Sequence, residues 1–271
     1  MTLPAMLTTM VALAESAAAA VQRIYESESI DVDMKGPDDP VTSADRIANA
    51  LLCEGLARAF PGCPVVAEES PPEQFGDYQH APQVFFVDPV DGTRELIRRT
   101  GEFVVMIGCL QGERAAAGVI VAPVTGTTWA GSPEVGAVRR VARGPWEPIR
   151  VSSIAQLDCA RVLVSRARPA GEHRMVAKRL GAAEITPMGS AGIKGVRVAC
   201  GDAEAYVAPV QAGKRWDTCA LDAIVDAAGG RVTDARGVPL AYRSSQLRND
   251  RGLVAANAEL HAEIVAKLQT E

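Results

Sequence analysis

The segment VFFVDPVDGTREL, Val84 to Leu96, constrains this chain more than any other. Four apolar residues run into Asp88, and Pro89, Val90 and Asp91 follow. Gly92-Thr93 and a charged, helix-favouring stretch come next. A short apolar run of β-branched and aromatic residues reads as a buried strand. Pro89 fixes φ and removes a donor, so the strand must turn there. The turn can bring Asp88, the Val90 carbonyl and Asp91 to one side. Gly92-Thr93 then opens a helix whose free N–H groups can hold a phosphate. Two carboxylates and an anion seat thus adjoin at a strand end, where open α/β sheets place ligands.

Helical and strand patterns alternate along the rest of the chain. Residues 4–25 read as an amphipathic helix, Glu28–Lys35 as a strand, and Thr42–Phe60 as a helix stopped by Pro61-Gly62. CPVVAEES reads as a short buried strand ended by Pro71-Pro72. The segment from Glu102 to Ser132 reads as two long strands joined near Gln111-Gly112, with strand or turn after Pro123. Strands are expected at Arg161–Ser165, Glu184–Met188, EAYVAPV and GLVAAN, with hairpin chemistry around Asp234–Gly237. Helices are expected at Glu172–Leu180, Ser190–Cys200, WDTCALDAIVDAAGG, and a closing segment capped at Asn257. Pro and Gly cluster at residues 144–156, which marks an internal seam. The expectation is two α/β subdomains, 1–148 and 149–271, sharing a continuous set of sheets.

Composition excludes some functions. Hydrophobic residues make up 48% and aromatics 4%, so the core must be mostly Ala, Val, Leu and Ile. The net charge of −5, with no basic block, argues against nucleic-acid or anionic-membrane binding. The six cysteines stand singly, without a C-x-x-C pair, and read as reduced core thiols of a cytoplasmic protein. No positive region precedes the apolar N-terminal run and Glu15 interrupts it, so it reads as a helix rather than a signal peptide. No other run is long and apolar enough to span a membrane.

Four short pieces place carboxylates at the ends of apolar elements: VTSAD with Asp45, VVAEES with Glu68 and Glu69, VDPVDGT with Asp88 and Asp91, and RWDTCA with Asp217. Gathered together, such groups repel one another and call for a cation. An oxygen-rich, thiol-free set suits Mg²⁺ or Mn²⁺.

D-P-V-D-G-T, with E-E-S upstream and W-D downstream, resembles the lithium-sensitive inositol monophosphatase superfamily. DGTREL…GEFVVMIG, SRAR, GSAGIK and KRWDTCALDAIVDAAGG are closer still to its 3′(2′),5′-bisphosphate nucleotidases, which remove the 3′-phosphate of 3′-phosphoadenosine 5′-phosphate. The resemblance runs from Val41 to the final helix. It implies an α+β layered sandwich of alternating helix and sheet layers. It also implies two or three Mg²⁺ ions, with Glu68, Asp88 and the Val90 carbonyl on one and Asp88, Asp91 and Asp217 on a second. Glu68, with Asp45 and Thr93 as the pair that activates the attacking water, would form the catalytic group. Asp91, Gly92, Thr93 and Asp217 would meet the scissile phosphate ester. Ser165, Arg168, Ser190 and Lys194 would contact the nucleotide. Relatives include monomers and dimers, so a homodimer is compatible with the resemblance.

Plainer roles exist for several of these residues. Thr42-x-x-Asp45 is also a capping box, and Asp217 could be a helix cap. Glu69 reads as a neighbour of Glu68 rather than a ligand, and Trp216 as packing behind the site. Ala67, Arg168, Ser190 and Leu221-Asp222 depart from the pattern of relatives, and Arg168 and Ser190 do so in the expected nucleotide pocket. Three functions fit these residues. The first is hydrolysis of a 3′-phosphorylated nucleotide to AMP, or of its sulfated precursor, in the chemistry of sulfur assimilation. The second is an inositol monophosphatase or sugar bisphosphatase on the same metal site. The third is a non-catalytic phosphate-binding regulator, against which the completeness of the carboxylate set argues.

Overall fold

Along the strand Gln83–Asp91, successive side chains enter different cores. Phe85 and Val87 join one apolar cluster and Val84 and Phe86 another, all fully buried. A strand covered on both faces requires helices on each side, and the computed structural model, which describes residues 2–270, has them.

The first half comprises α1 (Ala5–Tyr25), the hairpin β1 (Val32–Gly36) and β2 (Asp39–Thr42), α2 (Ser43–Ala59), β3 (Val65–Ala67), β4 (Gln83–Asp91), α3 (Thr93–Ile97), and β5 to β9: Val104–Gln111, Arg114–Ala122, Thr127–Ser132, Gly136–Val141 and Glu147–Pro148. Strands β3 to β9 form one seven-stranded sheet in chain order. It is antiparallel except for β3, which lies parallel to β4. The second half comprises β10 (Arg161–Ser165), α4 (Ala170–Leu180), β11 (Glu184–Met188), α5 (Ala191–Ala199), β12 (Ala205–Ala208), α6 (Trp216–Ala227), β13 (Gly230–Thr233), β14 (Leu253–Asn257) and α7 (Ala258–Gln269). Its five strands pair in the order β11-β10-β12-β14-β13.

The layers follow from which residues share a core. Helices α1 and α2 cover one face of the large sheet through Leu7, Met10, Ala14, Leu52 and Leu56. Helices α5 and α6 fill the space between the two sheets, with Val196, Ala220, Leu221 and Ile224 packed between Met106 and Ile120 on one side and Leu163 and Tyr206 on the other. Helices α4 and α7 cover the far face of the small sheet through Val176, Leu180, Leu260 and Ile264. The result is the expected sandwich of alternating helix and sheet layers. The sheets themselves are separate rather than continuous, and α6 belongs to the layer between them. Helix α1 has the length and composition of a membrane-crossing helix, yet it carries one apolar face into the core, as an amphipathic helix does.

Glycines set how closely α6 approaches the large sheet. Gly108, Gly118 and Gly131 stand opposite one another on β5, β6 and β7. A Cβ on Gly118 would lie 2.2 Å from the Ala220 carbonyl oxygen, and one on Gly108 would lie 2.6 Å from Cys219. No other residue fits beneath the helix there. The stripe therefore fixes the position of the α6 N-terminus, where Asp217 sits.

Candidate active site

Strand β4 breaks register between Asp88 and Asp91. The irregularity turns both carboxylates and the Val90 carbonyl out of the ladder. Asp88 Oδ1 accepts the Val90 N–H at 3.0 Å, while Asp88 Oδ2 is buried without any partner. Gly92 follows at φ 107°, with the backbone of Glu102 and Phe103 so close that a Cβ would meet the Glu102 oxygen at 2.8 Å. Only glycine serves here, and α3 starts directly behind it.

Three further elements deliver carboxylates to this point. Glu68 follows β3, with its N–H bonded to the Val87 carbonyl at 3.1 Å. Asp217 lies in the first turn of α6, its Oδ2 accepting the Lys214 N–H. Oxygen atoms of Glu68, Asp88 and Asp217 lie within 4.8 Å of one another. Burial, then Asp217, pushes the Glu68 carboxyl up to about 8. Burial, then Asp91, pushes Asp217 up to about 6. Asp88 is raised well above the ordinary aspartate range by burial and by Glu68. Three carboxylates repelling one another, Asp88 buried with an orphaned oxygen and Glu68 and Asp217 half-buried, fit a divalent cation, and the all-oxygen donor set suits a hard one.

Asp91 is placed slightly apart. Its Oδ2 accepts the Ser190 hydroxyl at 2.5 Å and the Gly192 N–H at 2.6 Å, at the N-terminus of α5. Ser190 holds this position at φ 52°, outside the conformations most side chains adopt. On the other side, Asp45 divides its two oxygens. Oδ2 accepts the Thr42 N–H at 2.8 Å and the Thr42 hydroxyl at 2.5 Å, and Oδ1 accepts the Thr93 hydroxyl at 2.8 Å. Asp45 is therefore both a helix cap and the partner of Thr93, as the sequence allowed.

Glu68, Asp88, Val90, Asp91, Gly92, Thr93, Ser165, Ser190 and Asp217 line one cavity of about 200 Å³. Two residues expected at the nucleotide do not line it. Lys194 is buried, its ammonium bonded to the carbonyls of Met188, Gly189 and Ser190 and stacked 4.7 Å from the Tyr206 ring. Burial lowers its pKa to about 8. It shapes the 188–190 turn from behind. Arg168 donates to the Gln211 carbonyl at 2.7 Å. Trp216 is buried edge-on to Phe75, behind the site.

Lys35 and Arg166, to which the sequence assigned no role, also reach the site. Lys35, on β1, pairs with Glu69 at 2.5 Å and Glu68 at 3.5 Å. Burial opposes its charge, yet Glu68 and Glu69 outweigh this and raise its pKa. Arg166, two residues before Arg168, joins Glu95 at 3.2 Å and Glu102 at 2.5 Å, and Glu102 accepts the Gly189 N–H at 2.9 Å. Arg94 lines the cavity and donates to the Asp38 carbonyl at the tip of the β1–β2 hairpin, whereas Arg99 turns away to the carbonyls of Tyr25 and Ser27.

Residues 3–271 match the inositol monophosphatase family. The chain belongs to that family. It is thus a member of a metal-dependent phosphatase family, and the acidic cavity just described is consistent with that chemistry. Among curated proteins, it is 34% identical over 238 residues to the 3′(2′),5′-bisphosphate nucleotidase CysQ of Escherichia coli K12, a match spanning 85% of this chain and 91% of that one. Among solved structures, it superposes on the suhB protein of Bartonella henselae with a TM-score of 0.84 and 25% identity, covering 98% of this chain and 99% of that one. CysQ of Bacteroides thetaiotaomicron superposes with a TM-score of 0.78 and 27% identity, covering 93% and 97% of the two chains.

Proposed function

We propose that the chain is a Mg²⁺-dependent phosphomonoesterase that removes the 3′-phosphate of 3′-phosphoadenosine 5′-phosphate or its sulfated precursor. The observation that carries this reading is the meeting of Glu68, Asp88 and Asp217 beside the Gly92-Thr93 helix start. Similarity to the CysQ nucleotidases supports the substrate class. Glu68, Asp88, Asp217, the Val90 carbonyl and Asp91 would hold the metal. A divalent cation bound there supplies Lewis-acid charge and acidifies the water it holds.

The chain's own residues account for the rest. Thr93 passes its hydroxyl proton to Asp45 Oδ1, so it can accept one from an attacking water. The N–H groups of Gly92 and Thr93, at the head of α3, orient the phosphate oxygens. Asp91 is steadied by Ser190 and the α5 N-terminus, which keeps its second oxygen free for the cavity. Ser165 and Ser190 line the wall where the sugar would lie, with Lys194 holding the backbone behind them. Arg94 offers a cation for the second phosphate. The residues before 149 and those from 149 onward act as two subdomains, the first bearing most ligands and the second Asp217 and the nucleotide wall.

The test is a substrate panel with Mg²⁺: 3′-phosphoadenosine 5′-phosphate, inositol 1-phosphate and fructose 1,6-bisphosphate. The highest kcat/KM is expected for the nucleotide. A preference for inositol or sugar phosphate would leave the metal site standing and replace the substrate.

A further inference from the structure

A second cavity, of about 320 Å³, lies beneath the segment from Val238 to Gly252 and shares no lining residue with the acidic one. Arg215, Arg248 and Arg251 line it, together with Asp234 and Asp250. Neither carboxylate bonds to Arg215. Asp250 pairs with Arg248 at 3.2 Å, and Asp234 Oδ1 accepts the N–H groups of Arg236 and Val238, each at 2.9 Å. Arg248 and Arg251 are exposed at the surface of the cavity.

Arg215 differs from both. It is 8% exposed, and its Nε is buried without a hydrogen-bond partner. Among the described residues it forms no salt bridge. Its guanidinium donates to Asn249 Oδ1 and lies 6.0 Å from the centre of the Tyr242 ring. Burial lowers the pKa of the guanidinium and outweighs Asp234 and Asp250, which attract this charge without bonding to it, so a buried cation with no anion in contact remains costly. The guanidinium fork matches a carboxylate or phosphate group better than a point charge does.

We propose that this cavity binds a small oxyanion, a carboxylate or a phosphate group, with Arg215 as its buried counter-charge and Arg248 and Arg251 at the mouth. The cavity is large enough for the anionic group and a short organic body. The site is connected to the acidic cavity. Asn249, which holds Arg215, also donates to the carbonyls of Ala212 at 2.9 Å and Lys214 at 2.8 Å, and the Lys214 N–H binds Asp217. An occupant that draws on Arg215 therefore acts on the turn that orients Asp217.

The experiment is calorimetric titration of the full chain, stripped of metal and dialysed free of chelator, first with inorganic phosphate and then with succinate. Arg94→Ala, which removes the cation of the acidic cavity, is titrated in parallel and should bind as the unmodified chain does. Saturable binding of at least one anion is expected, with the stronger identifying the group preferred. Arg215→Met keeps an unbranched, if shorter, side chain without the charge and should weaken binding by at least about tenfold. Ala241→Trp, at an exposed position on the cavity wall, obstructs the cavity and leaves Arg215 in place; it should do the same, and it decides the matter if Arg215→Met does not fold. Binding that survives either folded variant unchanged would overturn the proposal. So would the absence of binding by both anions to the unmodified chain.

Discussion

Thr93 donates its hydroxyl to Asp45 at 2.8 Å, joining the first turn of α2 to the first turn of α3 across 48 positions of sequence. The other Asp45 oxygen is committed to Thr42. One carboxylate thus fastens a helix start and orients the hydroxyl facing the acidic cavity.

These two duties separate by mutation. Thr93→Val removes the hydroxyl and leaves the cap, so kcat should fall by about 10²-fold or more with little change in Tm. Asp45→Asn disturbs both, so kcat should fall and the melting curve should also shift, by roughly 1 kcal/mol for the weakened cap. Steady-state kinetics and thermal melts on both variants check this.

Asp91→Asn removes a charge from the cavity while keeping an oxygen for Ser190 and Gly192. Turnover should fall by about 10²-fold or more, with the far-UV spectrum and Tm close to the parent. Near-normal turnover in a purified, folded variant would remove Asp91 from the metal site.

The carboxyl cluster makes stability without metal depend on pH. Glu68 titrates near 8 in the folded chain and near 4.5 when unfolded. Between those values the folded state holds the extra proton, so stability is full below about 4.5 and is lost as pH rises through about 8. Asp217, raised to about 6, adds in the same direction. In EDTA, Tm should fall as pH rises across this window. A saturating divalent cation should remove most of that slope, because the carboxylates are then compensated.

The glycine stripe beneath α6 is a stability test of the layer order. Gly118→Ala would drive a methyl group against the Ala220 carbonyl, where the added Cβ has only 2.2 Å. A loss of about 1–3 kcal/mol is expected in denaturant melts, accompanied by reduced turnover as Asp217 shifts. Gly36→Ala, with nothing within 4 Å of the added atom, should be nearly silent.

Much of this was legible in the residues. The strand Val84–Asp91 announced itself by an apolar run ending at a proline, and the helices before and after it by spacing and caps. Strands β10 and β11 fall at Arg161–Ser165 and Glu184–Met188, as expected. Strands β8 and β9 were not anticipated. β8 mixes Ala, Val and Arg with no clean alternation, and β9 is two residues inside a Pro- and Gly-rich seam. Side-chain direction was the harder matter. Lys194 sits where a nucleotide contact was expected, yet the α5 helix points it inward to three carbonyls. Arg166 stood inside SRAR, but only its neighbours Ser165 and Arg168 were singled out. Lys35 reaches the site through tertiary packing alone, and no local pattern marks a lysine on an exposed hairpin as the partner of Glu68 and Glu69.

The proposed metal site is the meeting of Glu68, Asp88 and Asp217, holding a divalent cation for phosphate-ester hydrolysis. Its most direct test is phosphate release from 3′-phosphoadenosine 5′-phosphate by the intact chain in EDTA and after Mg²⁺ is restored, with Asp88→Asn in parallel. Release is expected from the unmodified chain only with Mg²⁺, and close to none from Asp88→Asn in either condition. Equal release in EDTA, or full activity of Asp88→Asn with Mg²⁺, would contradict it.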